Sequence, residues 1–141
     1  MNEIEILKEV NQNAKVGMEG IDLTLEKAVD SKLKNTLYNQ KDEYKNIYSR
    51  TSELLHNLNE ENKDVPPLQK AMAWMGIQMS TLPNSSNSKL AEILIQGNDM
   101  GIIKGTKLLN NMNFKNPEIE NILKDFITLQ QENIDGLKKF L

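Results

Sequence analysis

The stretch Ser52-Glu53-Leu54-Leu55-His56 carries a Glu-x-x-His spacing. On a helix, positions i and i+3 share a face, so Glu53 and His56 would present a carboxylate and an imidazole side by side. That pair is half of a carboxylate-bridged di-metal centre, in which two helices each supply a Glu and two others each supply Glu-x-x-His. The carboxylates neutralise the cations and each imidazole adds a nitrogen donor. The chain has one histidine, so the complete ligand set cannot form. His56 also falls about 11 residues, or roughly 16 Å, past the middle of its helix. There the negative end of the helix dipole favours a histidine for its own sake. The spacing therefore predicts a helix-end residue rather than a ligand.

Positions nearer the middle of the helices carry more information. Gln40 interrupts an apolar stripe with Glu43 three residues on, and Gln130 interrupts another with Asn133 three residues on. The spacing is that of Glu-x-x-His, but amides stand at three of the four places. Gln96 and Asp99 lie near the middle of a further helix, and Glu19 and Asp22 near the middle of the first. One reading is a polar core layer of Gln40, Glu43, Gln96, Gln130 and Asn133 that fixes helix register, as a buried Asn does in coiled coils. Its amides would have to satisfy one another, because an orphaned buried amide costs roughly 1–3 kcal/mol. The other reading is a reduced metal site built from Glu19, Glu43, Asp99 and Glu132. Neutral amides are poor ligands for a pair of divalent cations and no nitrogen donor is well placed, so the structural reading leads.

Other chemistries fall away. There is no cysteine, which removes thiol catalysis, disulfides and thiolate metal sites. Met72, Met75 and Met79 share one helix face, but with no Cys or His beside them they read as core packing rather than a Cu(I) site. No nucleophile has a placed base. Gly101-Ile102-Ile103-Lys104-Gly105-Thr106 lies inside an apolar helical pattern and lacks the P-loop spacing. Seventeen basic and twenty acidic residues give a net charge of −3 with the signs interspersed, so nothing suggests nucleic acid or a membrane surface. No apolar run reaches the ~18 residues of a membrane span. The opening Met1–Val10 is acidic and amphipathic without a signal-peptide core, which reads as cytoplasmic.

The elements that must position these residues follow from three/four spacing. A first helix over about 2–29 carries Leu7, Val10, Ala14, Gly17/Met18, Ile21, Leu25 and Ala28. A second, capped by Asp30-Ser31, runs to about 60 with Leu33, Leu37, Gln40, Tyr44, Ile47, Thr51 and Leu54/Leu55. The short junction makes the two antiparallel neighbours. A polar, proline-punctuated loop spans 57–68. A short helix over about 67–81 has Pro67 in its first turn and carries Leu68, Met72, Met75 and Met79. A loop at 82–88 supplies a Ser or Asn cap to a third long helix over about 88–110. That helix is apolar on several faces and so expected to be largely enclosed. Its Gly97, Gly101 and Gly105, at i, i+4 and i+8, predict a close approach on one side. The last helix starts at the Asn116 cap and Pro117 and carries Ile119, Leu123, Phe126, Gln130, Asn133, Leu137 and Phe140. The connection over 57–87 is long enough to cross the length of a bundle, so the third long helix can run parallel to the second. The fold expected is an all-α, ferritin-like four-helix bundle with a short extra helix in the crossover between helices two and three, as one domain over 1–141.

The segments Trp74-Met75-Gly76-Ile77-Gln78-Met79, Ala91–Ile102 ("AEILIQGNDMGI") and Gln130–Leu141 ("QQENIDGLKKFL"), with these helix lengths, resemble the small DUF2383-type ferritin-like proteins of Gram-positive anaerobes. The resemblance covers nearly the whole chain and implies an oligomeric four-helix bundle without an assigned activity. The chain departs from metal-binding members of that superfamily at Gln40, Gln130 and Asn133. The reading that follows is a non-enzymatic bundle with an absent or degenerate metal site and no cofactor. It would act as a homo-oligomer, a dimer, or through a protein partner, and a structural role in stress or sporulation is compatible with it. The alternative is a metal-binding protein or oxidoreductase holding iron or manganese in a nonstandard carboxylate site.

Overall fold

The computed structural model of the chain describes residues 1–61, 66–82 and 86–141, with 66–69 as helix backbone alone. The predicted loops at 57–68 and 82–88 fall partly on 62–65 and 83–85, which lie outside the described residues, as do the side chains of Pro67 and Leu68. Five helices form, α1 (Glu3–Lys27), α2 (Ser31–Asn57), α3 (Pro66–Ser80), α4 (Asn87–Asn111) and α5 (Pro117–Lys138). Among the described residues there is no strand. No helix among them is long and apolar enough to cross a membrane.

The helix ends are set by short polar side chains. Asn2, Asp30, Ser86 and Asn116 each accept a hydrogen bond from a backbone N–H of the first turn, satisfying donors that have no intrahelical partner. Asp30 is held below its usual carboxylate range, chiefly by the backbone N–H of Leu33. The stretch that opened the question closes α2. The N–H groups of Asn59 and Glu60 donate to the carbonyls of His56 and Leu55 at 3.0 and 2.9 Å. Asn59 sits at φ 56°, the left-handed conformation that Asn tolerates at the end of a helix. His56 and Glu53 are both exposed, so the Glu-x-x-His spacing is an ordinary helix terminus.

The helix directions follow from side-chain pairings. Lys8 meets Glu60, Asn11 meets Thr51 and Lys41 meets Asp22, so α1 and α2 are antiparallel. Asn98 meets Asn133 and Gly105 faces Ile127, so α4 and α5 are antiparallel. Gln40 reaches Asn133 while Arg50 pairs with Asp125, which sets α2 against α5 in the opposite sense. Gly20 packs on Met75 and Thr24 on Met79, so α3 runs the same way as α1. It follows that α2 and α4 run the same way and that α3 returns the chain between them.

One apolar core joins the elements, from Ile6 and Leu7 of α1 through Leu33, Leu37 and Leu55 to Leu90, Ile119, Leu123 and Leu137. Every residue of the expected α2 stripe is buried. The expectation for α4 needs correction. Its enclosed face is Leu90, Ala91, Ile93, Leu94, Asn98 and Gly105, whereas Met100 and Ile103 are each 50% exposed and Ile95, Ile102, Leu108 and Leu109 are only partly covered. The helix is apolar on faces that α5, α1 and α3 do not reach. The close approach expected at its glycines is present. A Cβ at Gly101 would collide with the Gln130 amide, and one at Gly105 would lie 3.0 Å from Ile127 Cγ1.

Candidate functional site

At mid-height the apolar core gives way to a layer of neutral polar groups. Tyr44, on the buried stripe of α2, donates its phenolic O–H to Asn98 Oδ1 at 2.8 Å. Asn133 Nδ2 donates to the same oxygen at 3.4 Å, and Asn98 Nδ2 donates to the Leu94 carbonyl at 2.8 Å. Gln40 donates to the Asn133 carbonyl at 3.3 Å, and Gln130 to the Phe126 carbonyl at 3.4 Å. The Tyr44 ring meets Phe126 edge-on, with centroids 6.2 Å apart, and lies over Gly17 on α1. Four helices are thus tied at one level.

Burial pushes the Tyr44 hydroxyl up to about 12, against the opposing hydrogen bonds from Asn133 and Asn98. In the unfolded chain a tyrosine titrates near 10. The folded state therefore holds a proton that the unfolded state has already lost between those values, and stability falls as pH rises through that window. Two units correspond to roughly 3 kcal/mol, fully present below pH ~10 and lost by pH ~12. Denaturant titrations from pH 8 to 12 should show this alkaline loss in the native chain, and Tyr44→Phe should lack that component.

The structure brings together only part of the expected layer. Gln40, Gln130 and Asn133 are buried in it. Glu43 and Gln96 are exposed and do not belong to it. The buried residue after Gln40 on α2 is Tyr44, at i+4, and the polar residue on the enclosed face of α4 is Asn98, two places beyond Gln96. Of the candidate metal ligands, Glu19 is partly buried and Glu43, Asp99 and Glu132 are exposed. Glu43 and Glu132 line one outer groove between α2 and α5, together with Arg50 and Asp125, which pair at 3.0 Å. Among the described residues no three Asp, Glu or His side chains are grouped to hold a metal ion.

Two further buried polar features were not expected. Asn11 donates to the Thr51 and Ser52 hydroxyls at 2.9 Å each and accepts from Gln12 at 2.8 Å. The signal was available, since Asn11 lies four residues after Leu7 and three before Ala14. Glu9 is buried and paired with Lys104, tying α1 to α4.

Beside the layer lies a cavity of about 350 Å³. Its lining includes the polar Gln40, Tyr44, Asn98 and Gln130 and the apolar Trp74, Met75, Leu94 and Met100. Gly17, Gly20, Gly97 and Gly101 bring bare backbone to its walls, and the exposed Lys70 and Lys104 also line it. No Asp or Glu is among the described residues that line it. The layer's amides do not titrate, and a phenol pushed up to about 12 is far from the pKa near working pH that suits a general acid or base. Comparison with protein-family models, with curated proteins and with solved structures found no match for this chain.

Proposed function

We propose that this protein is a non-enzymatic ferritin-like bundle, of the DUF2383 type, whose metal centre is replaced by a neutral amide–phenol layer. It would act through self-association or through a bound partner. The observation that carries the reading is the composition of the mid-height layer. A di-metal centre requires several carboxylates and imidazoles converging there, whereas Tyr44, Asn98, Gln40, Gln130 and Asn133 occupy that level. Each is uncharged at neutral pH and spends hydrogen bonds on its neighbours. The parallel sense of α2 and α4, with α3 between them in the chain, is compatible with a single long crossover of the ferritin-like kind.

Self-association is supported by the outer face of α4. Met100 and Ile103 lie three residues apart on that helix and each is half exposed. Large apolar side chains grouped on a surface are characteristic of interaction sites. Sedimentation should report a dimer for the native chain, and Ile103→Glu should return it to the monomer mass; a monomer at all concentrations would remove this part of the reading.

The decisive experiment for the layer is elemental analysis after anaerobic loading with Fe(II), Mn(II) and Zn(II) and desalting. The expected result is no stoichiometric metal, with Gln40→Leu/Gln130→Leu folding as well as the native chain. Replacing buried amides by apolar groups of similar shape can be nearly neutral. Retention of about two equivalents of one metal, lost in that double variant together with stability, would overturn the reading in favour of a carboxylate-assisted metal protein.

A further inference from the structure

The two glutamines of the layer are not fully used. Gln130 is 4% and Gln40 8% exposed, yet each makes one hydrogen bond, through its N–H, to a backbone carbonyl. Among the described residues neither side-chain oxygen accepts a bond, and each amide keeps a second N–H. The two oxygens are not sealed into the core, so a water or a ligand can reach them and supply the missing bonds. Both glutamines line the cavity, and each carries an unused oxygen and a second N–H, groups that suit a ligand able both to donate and to accept. Gly101 is what allows this arrangement, because any Cβ there would displace the Gln130 amide.

The apolar lining includes Trp74 and Met75. Aromatic faces and sulfur both make favourable contacts with an aromatic ring. A volume of about 350 Å³, at the ~30 Å³ that a water-sized unit occupies in a liquid, holds on the order of ten non-hydrogen atoms. A benzene ring with a small head group has about that many. The inner polar groups are all neutral, and the lysines that line the cavity are exposed, so a charged head placed against the glutamines would lose its water without gaining a counter-ion.

We propose that this cavity binds a small uncharged aromatic molecule bearing an amide or hydroxyl group, with that group on Gln40 and Gln130 and the ring against Trp74 and Met75. This goes beyond the structural role proposed above and does not require it, since the cavity could be filled whether or not the chain self-associates.

The one tryptophan of the chain lines the cavity and reports its occupancy. Titration of the full chain with benzamide, benzoate and ethylbenzene, followed by Trp74 fluorescence and ligand-observed NMR, tests the proposal. Benzamide should bind saturably and benzoate about tenfold more weakly or worse, the equivalent of one good hydrogen bond. Gln130→Leu should weaken benzamide by about tenfold and leave ethylbenzene binding intact or improved. Gly97→Leu should fill the cavity and abolish binding of all three. Gly97→Ala, whose Cβ meets only Met75 Cε at 3.5 Å, should retain binding and serves as the folded control. If Gly97→Leu fails to fold, the Gln130→Leu comparison carries the test alone. No saturable change with benzamide on a folded chain would overturn the proposal and leave a water-filled cavity. Tighter binding of benzoate would also overturn it by assigning the site to anions through Lys70 and Lys104, and so would benzamide binding unaffected by Gln130→Leu.

Discussion

Asn98→Leu is expected to lower the stability of the fold by about 2–4 kcal/mol, although the two side chains are nearly the same size. Asn98 Oδ1 is the shared acceptor for the Tyr44 hydroxyl at 2.8 Å and for Asn133 at 3.4 Å. Its removal leaves two buried donors without partners, each costing roughly 1–3 kcal/mol, with the longer bond at the low end. The cost should be non-additive. Once Tyr44 is phenylalanine the larger orphan is gone, so Tyr44→Phe/Asn98→Leu should be more stable than Asn98→Leu alone. Chemical denaturation of the two single variants and the double variant closes the cycle. Additive losses would mean that the phenol and the amide do not depend on each other.

Gly17→Ala is expected to cost about 2–4 kcal/mol, against the rule that alanine stabilises a helix. A Cβ at Gly17 would lie 2.5, 2.6 and 2.7 Å from three atoms of the Tyr44 ring. That ring cannot swing aside cheaply, because its hydroxyl is bonded to Asn98 and it packs in an edge contact with Phe126. Overpacking of this kind costs roughly 1–3 kcal/mol, and a displaced phenol adds about 1–3 kcal/mol of unmade hydrogen bonding. Helix propensity returns only ~1 kcal/mol. Gly97→Ala makes the contrast. Its Cβ meets one methionine methyl at ordinary contact distance, so the same propensity gain should appear as a stabilisation of up to about 1 kcal/mol. Thermal melts of the two variants side by side should move in opposite directions. A stable Gly17→Ala would show that α1 and α2 can separate at that level without loss.

The sequence was legible where a helix has one apolar face. On α2 the three/four spacing admits a single stripe, and Leu33 through Leu55 are buried along it. The same stripe brought Gln40 into the core, and that of α5 brought in Gln130 and Asn133. It failed on α4, where apolar residues surround the axis and periodicity cannot choose a face. Spacing alone offers Gln96 as the polar member of that helix, while packing against α5 through Gly101 and Gly105 turns Asn98 inward. Glu43 shares an i+3 distance with Gln40, but the buried stripe steps by four there and reaches Tyr44. The cavity had no local signature. It arises from how Met75 of α3 is laid between Gly20 of α1 and Gly97 of α4, a relation between three segments far apart in the chain.

The mid-height layer also bears on the order in which the molecule is put together. The α1–α2 and α4–α5 hairpins are joined by short connections and can close quickly, because their contacts are local. Several bonds between the hairpins are distant in sequence, among them Tyr44 to Asn98, Gln40 to Asn133, and the Glu3 carboxylate to the N–H groups of Lys115 and Asn116 at 2.7 and 2.8 Å. Docking one hairpin a single turn out of place, ~5.4 Å along the axis, would forfeit all of them together while leaving much of the greasy contact intact. The polar groups therefore act as an alignment check at the last step of assembly. Glu3 is fastened only once Asn116, 113 residues further along the chain, is in place.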